Sequence, residues 1–240
     1  MFFKNKDKIE FQRMLPTERL HSLFRDVVFS QIKSPKPKYI KSIRSLRFER
    51  ELFHFEIAWD QHRRNTRYND SGFQVRCSLF SKPYRKWEKK FYDLPKSLVS
   101  TPIGGLSFRK IDGFDATGFV GQSYHLNFKN RKQLASVIAK NIDSHFSNFF
   151  SSFENWDDNA ISKLEETQHR FFPQTIPLVI TDFLILQNRL DEAWTYLDTH
   201  DQWYKKFIKQ EENGGEGLND MWGPPYYHRK NKLESLLGLG

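Results

Sequence analysis

One cysteine in 240 residues excludes a great deal. Cys77 has no second thiol to pair with inside the chain, so a disulfide framework and a cysteine-rich zinc site are both ruled out. Long apolar runs are missing as well. Nothing approaches the ~18 consecutive apolar residues of a membrane span, and the mean hydropathy is −0.70. The opening stretch MFFKNKDKIEFQ carries neither the apolar segment nor the small-residue cleavage site of a secretory signal, which sets the expectation of a cytoplasmic protein. Acidic residues are scarce in the first half only. Residues 1–110 hold 11 Asp and Glu against 25 Lys and Arg, a net of +14, whereas residues 111–240 hold 18 against 13, a net of −5. A chain so divided presents one strongly basic region, and a basic region is suited to an acidic protein surface or to nucleic acid.

The familiar catalytic signatures are also missing. There is no H-E-x-x-H, no G-x-S-x-G, and the eight histidines show no metal-ligand spacing. His54-Phe55-Glu56 matches the first half of a zinc deaminase signature, whose second half needs two further cysteines. GFDATGFVG has the glycines of a phosphate loop without the Lys-Ser/Thr that follows one, and reads as turns between strands. No cofactor is expected.

What the chain does have is aromatic bulk, with 23 Phe and six Trp, arranged with clear periods. PTERLHSLFRDVVFSQI opens on Pro16 and Thr17 as turn and cap, then spaces Leu20, Leu23, Phe24, Val27 and Val28 as a helix face. Pro35 and Pro37 then impose an extended basic linker, KSPKPKYIK. Three strands follow: Leu46 and Phe48; Phe53, Phe55, Ile57 and Trp59; Phe73, Val75, Cys77 and Leu79, each set alternating with polar neighbours. On this register Cys77 is a small buried hydrophobe. GGLSFRKIDG and SYHLNF supply two further strand candidates.

From Asn130 the period becomes helical. Leu134, Val137, Ile138, Ile142, Phe146, Phe149, Phe150 and Phe153 form one broad face. A shorter helix is expected from Asp157 or Asp158, then a helical hairpin with QNR as its turn, whose second arm places Leu190, Ala193, Trp194 and Leu197 at core spacing. The tail is a Gly/Pro loop with a short terminal helix. These elements predict an α+β protein: an N-terminal helix, an antiparallel sheet, and a helical C-terminal half with an αα-hairpin. The expected division is a basic helix-plus-sheet region over residues 1–128 and a helical region over 129–240 packed on the sheet, as one compact domain.

The succession RFERELFHFEIAWDQ, GFQVRCSLFSKPYRKW, HFSNFFSSF and IPLVITDFLILQNRLDEAWTYL resembles a loose group of uncharacterised bacterial domain-of-unknown-function proteins discussed beside toxin–immunity loci. The resemblance spans roughly residues 46–200. It implies a binding protein of the immunity or antagonist kind and assigns no role to any residue. The hairpin is also similar to a tetratricopeptide-type helix pair, although a single pair is only an αα-hairpin.

Two candidate sites emerge. On the polar strand face, His54, Glu56 and Asp60 oppose Gln74 and Arg76, which is similar to the Asp followed by Glu-x-Lys of metal-dependent nucleases. That chemistry needs carboxylates for a hard divalent ion and a cation near the phosphate. Gln74 and Arg76 replace the carboxylate and the lysine, and Glu88-Lys89-Lys90, the one literal Glu-x-Lys here, falls in a separate polar segment. The simpler reading is a wet sheet face that pairs its charges across strands. The second candidate is a binding surface. Arg63, Arg64, Arg67 and Tyr68 crowd one loop, and Lys82, Tyr84, Arg85, Lys86 and Trp87 interleave cations with rings just beyond. Such a mixture serves a protein hot spot or a phosphate backbone with stacked bases. The expectation is a non-catalytic protein that docks its basic half on an acidic partner, with nucleic-acid binding, or a degenerate nuclease, as the alternative.

Overall fold

A computed structural model describes residues 2–33, 36–61, 65, 71–94, 102–107, 124–168, 175–205 and 219–239. The chain forms two units, each built from two separate stretches. The first comprises Met1–Leu79 and Leu106–Ser151, the second Phe80–Gly105 and Ser152–Gly240. This division differs from a single cut near residue 128, because the helix after the third long strand belongs with the C-terminal helices. The fold is α+β, with helices before and after an antiparallel sheet.

The first unit opens with α1 (Phe2–Arg13). Sequence reading assigned no element here, since the segment lacks an apolar stripe. Phe11 is its buried anchor, set edge-on to Phe128 at 5.8 Å. The buried Arg19 then donates to the carbonyls of Phe11 (3.1 Å) and Gln12 (3.0 Å), supplying partners that a helix C-terminus lacks. Next, α2 (Pro16–Ser22) runs through a π-helical turn (Leu23–Val28) into α3 (Phe29–Gln31). Its cap is Leu15 rather than Thr17. The Glu18 carboxylate accepts from the Leu15 backbone N–H at 2.7 Å, while Thr17 donates to Gln61.

The sheet holds β1 (Lys38–Ile40), β2 (Ser45–Glu49), β3 (His54–Gln61), β4 (Ser71–Phe80), β5 (Gly104–Ser107) and β6 (Tyr124–Leu126). The strand order is β1-β2-β3-β4-β5, and β6 pairs with β4. The extended basic linker therefore ends in an edge strand, with Tyr39 opposite Leu46. Alternation places the inward residues as the sequence predicts: Leu46, Phe48, Phe55, Ile57, Trp59, Phe73, Val75, Cys77 and Leu79 are all buried. Phe24 stacks on Trp59 at 4.0 Å, and Phe150 packs edge-on to Phe55 at 3.9 Å.

Phe150 arrives on α6 (Ser147–Ser151), joined to α5 (Arg131–Asn141) by a second π-helical turn (Ile142–Phe146). The inward stripe of α5 is Ala135, Ile138, Ala139 and Ile142. Val137, expected on that face, is 38% exposed, because small alanines fill the positions closest to the core. Phe146 lies outside the residues whose side chains are described.

Burial pushes the Cys77 thiol well above its ordinary pKa, with the Glu56 charge adding to the effect. A buried neutral thiol is a poor nucleophile. Native protein is expected to resist an aromatic disulfide reagent and to react fully after denaturation. Fast native labelling would contradict the β4 register.

In the second unit, α4 (Lys82–Tyr92) is capped by the Ser81 hydroxyl, which accepts from the Tyr84 N–H, and it ends on Asp93 in the left-handed region (φ 52°). The Asp157 carboxylate accepts from the N–H groups of Asn159 and Ala160, starting α7 (Asp158–Gln168) where the sequence places it. Then α8 (Ile176–Leu186) and α9 (Leu190–Thr199) form the expected hairpin, turning on Asn188 at φ 59°. Arg189 N–H closes that turn on the Leu184 carbonyl at 2.9 Å. Ala193 and Leu197 face inward; Trp194, expected beside them, is half-buried, with the Lys230 ammonium 6.0 Å from its ring centroid. The last helix, α10, spans Asn219–Leu237.

Candidate docking surface at the β1–β2 turn

The strand-face candidates are accounted for by charge pairing. Glu56 accepts from Arg47, its cross-strand partner on β2, at 2.5 Å, and the His54 ring lies 3.7 Å from the same carboxylate. Asp60 pairs with Arg76 at 2.6 Å. Gln74 is half-buried on β4. Each carboxylate thus has a guanidinium of its own, as a wet sheet face arranges its charges. Among the described residues, no three His, Cys, Asp or Glu side chains converge on one point.

The two halves of the expected binding surface fare differently. Arg63, Arg64, Arg67 and Tyr68 lie outside the described residues. On α4, Lys82 and Lys86 are exposed and Trp87 is half-buried, stacked on Phe91 at 4.7 Å. Tyr84 and Arg85 are buried. The helical period separates what the sequence interleaves, so this segment does not present its cations and rings on one face.

The two buried members belong to a charge network inside the second unit. Arg229 Nη2 donates to Asp182 at 2.6 Å and to Glu88 at 2.5 Å, and its Nε reaches both Asp182 oxygens at 3.1 Å. Tyr84 and Tyr92 each donate to Asp182 at 2.6 Å, and Arg85 donates to Glu88 at 2.6 Å. Two guanidinium groups balance two carboxylates. Burial drives the Asp182 carboxyl up against the pull of Arg229 and its phenol donors. For Glu88, burial acts in the same upward sense, but Arg229 and Arg85 outweigh it and hold that carboxyl below its ordinary range. Sequence reading missed this network. Its one local signal is Asp182 itself, the lone charge in the apolar run IPLVITDFLIL.

A second cluster joins residues 201–205 to α10. Asp201 accepts from Lys205 at 2.5 Å, from Lys230 at 3.0 Å and from the Tyr226 hydroxyl. Burial raises its pKa, but these donors prevail and bring it down to about 2.

Exposed, unmatched charge is found instead on the first unit, at the four-residue turn between β1 and β2. Lys41, Ile43 and Arg44 are exposed there, Ile43 at 46%. Among the described residues neither cation has a carboxylate partner. Arg44 sits at φ 51°, which fixes the turn. A groove of about 330 Å³ lies alongside, lined by Leu20, Ile43, Arg44, Trp59, Gln61 and Arg76 among others. His21 stands behind it, its Nδ1 2.6 Å from the Tyr39 hydroxyl and its ring 5.9 Å from Trp59. Burial lowers the His21 pKa, and Arg44, Arg25 and Lys41 lower it further, so the field at this corner is positive. Gln61, the last residue of β3, lines the groove and leads directly into the segment that carries Arg63, Arg64 and Arg67. The linker read from the sequence, KSPKPKYIK, ends at Lys41 and leaves residues 42–45 in no element; KSIR carries no Gly, Asn, Asp or Pro to mark it as a turn.

Comparison of the chain with models of protein families, with curated proteins and with solved structures finds no match.

Proposed function

We propose that this chain is a non-catalytic binding protein that docks an acidic partner protein on the basic corner of its first unit, as an immunity or antagonist protein of a bacterial toxin conflict would. The observation that carries the reading is the β1–β2 turn: an exposed Ile43 between Lys41 and Arg44, beside a groove and within a positive field. An apolar anchor flanked by cations is suited to a hot spot on an acidic surface, and the flanking charge speeds encounter. The antagonist role rests on the resemblance of the chain, and the acidic partner on charge.

The test is purification of the tagged full chain from its own cells. An acidic protein is expected in stoichiometric amount, with a protein-like ratio of absorbance at 260 and 280 nm. Reversing Lys41 and Arg44 to Glu should weaken that complex by on the order of 2 kcal/mol, about thirtyfold, with the melting temperature unchanged. Reversal of Arg63, Arg64 and Arg67 should act in the same direction, while Glu56→Gln, away from the groove, leaves the complex intact. A high absorbance ratio with steep salt dependence would replace this reading by nucleic-acid binding. Loss of biological activity on changing Glu56 and Asp60, but not the cations, would return the metal-site alternative.

A further inference from the structure

The sheet of the first unit ends on β1, whose outer side is open. Lys38, Tyr39 and Ile40 pair with Arg47, Leu46 and Ser45 of β2, and among the described residues no strand lies beyond β1 in the sheet order. The backbone of these three makes no hydrogen bond outside that ladder among the described residues. A strand bonded on one side only presents a row of N–H and C=O groups along the other. This row is held in place. Tyr39 shares the inward face with Leu46, its hydroxyl 2.6 Å from His21 Nδ1 and its ring 6.4 Å from that of Trp59.

The charges along the edge decide what can occupy it. Proteins blunt open edges with short strands, proline and lysine, and this edge has all three: three residues, Pro37 just before them, and Lys36, Lys38 and Lys41 along the length. A second copy of the chain, pairing β1 with β1, would set lysines against lysines. An acidic strand would set opposite charges together. Lys38 already holds Glu49 at 2.5 Å, but Lys36 and Lys41 are exposed and have no carboxylate partner among the described residues. Lys41 also opens the turn that exposes Ile43 and Arg44, so the edge and the turn form one continuous basic border. The same lysines that deter self-pairing select an acidic strand.

We propose that the acidic partner binds through an extended segment that adds to β1 as a further strand of the sheet. This rests on the acidic-partner reading and adds to it the conformation of the bound segment. Main-chain hydrogen bonds to β1 supply affinity, and carboxylates meeting Lys36 and Lys41 supply selectivity. Pro37 has no N–H to give, so the pairing begins at Lys38.

The probe is a capped acidic peptide of alternating pattern, EVETEVE, added to the full chain. Saturable binding at roughly 0.1–1 mM is expected, with slowed amide exchange within Lys38–Lys41. The same peptide N-methylated at every residue keeps its side chains and charge but loses every backbone donor, and should bind at least about tenfold more weakly. Lys36→Glu with Lys41→Glu should also weaken the unmethylated peptide about tenfold, without loss of fold because both side chains are exposed. Equal binding of the methylated peptide, or no saturation by the unmethylated one, would overturn strand addition. The acidic-partner reading would survive that result if the purified complex still weakens on reversing Lys41 and Arg44. A chain that sediments as a dimer dispersed by the peptide would assign the edge to a second copy and overturn the proposal. Absence of an acidic protein from the purified chain would instead remove the reading on which it rests.

Discussion

Arg229→Met is expected to cost about 3–5 kcal/mol in urea unfolding, a large part of the 5–15 kcal/mol that holds a typical domain together. The side chain is almost wholly buried and touches both carboxylates of the network. Removing it leaves Asp182 with two phenol donors and no cation among the described residues, and Glu88 with Arg85 and the more distant Tyr84 hydroxyl. An uncompensated buried carboxylate is penalised far more than the intact pair is rewarded. Arg229→Lys should fall between wild type and Met. A lysine keeps the charge but not the planar fork that reaches Asp182, Glu88 and the Pro225 carbonyl together. A loss below about 1 kcal/mol for the Met variant would mean that the network contributes little and that solvent reaches it.

Phe55→Ala should destabilise the first unit by roughly 3–5 kcal/mol, the range for deleting a fully buried ring. Phe55 lies between the sheet and α6, with Phe150 at 3.9 Å and Phe149 at 5.7 Å, both edge-on. The ring deletion opens a cavity that the flanking strands cannot close, because β2 fixes the β3 backbone through five register pairs. Phe55→Leu should lose much less. Cys77 offers a readout within the same sheet, since its reaction with thiol reagents should accelerate in step with the stability lost. Equal labelling rates in Phe55→Ala and wild type would show that the Phe55 site does not govern opening of the sheet.

The contrast between these two sites explains what the sequence made legible. Phe55 belongs to an alternating run, and alternation is a local signal that needs no knowledge of partners. The same holds for β2 to β4, for the Asp157 start of α7 and for the turn at Asn188. Arg229 gives no such signal, because its partners lie 47 and 141 residues away. Tyr84 and Arg85 were legible as residues but misleading as surface. Only the helical phase of α4, fixed by the Ser81 cap, turns them inward while Lys82 and Lys86 turn outward. At the β1–β2 turn the obstacle was different. Two prolines just upstream masked a three-residue edge strand, and with it the hairpin that exposes Ile43. Trp194 shows the limit of spacing arguments, since a bulky residue at the margin of a stripe fits core spacing whether or not its ring is fully covered.

The Glu88–Arg229 pair also sets a timetable. A ribosome finishes α4 long before it reaches the last helix, and 141 positions separate the two partners. At roughly 5–20 residues per second, the nascent chain carries Glu88 for about 7–28 s and Asp182 for about 2–9 s before their shared cation exists. Neither carboxylate has reason to leave water during that interval. The second unit therefore closes only once residue 229 has been made, and a chain released before that point should remain open and vulnerable to proteases however well its earlier helices form.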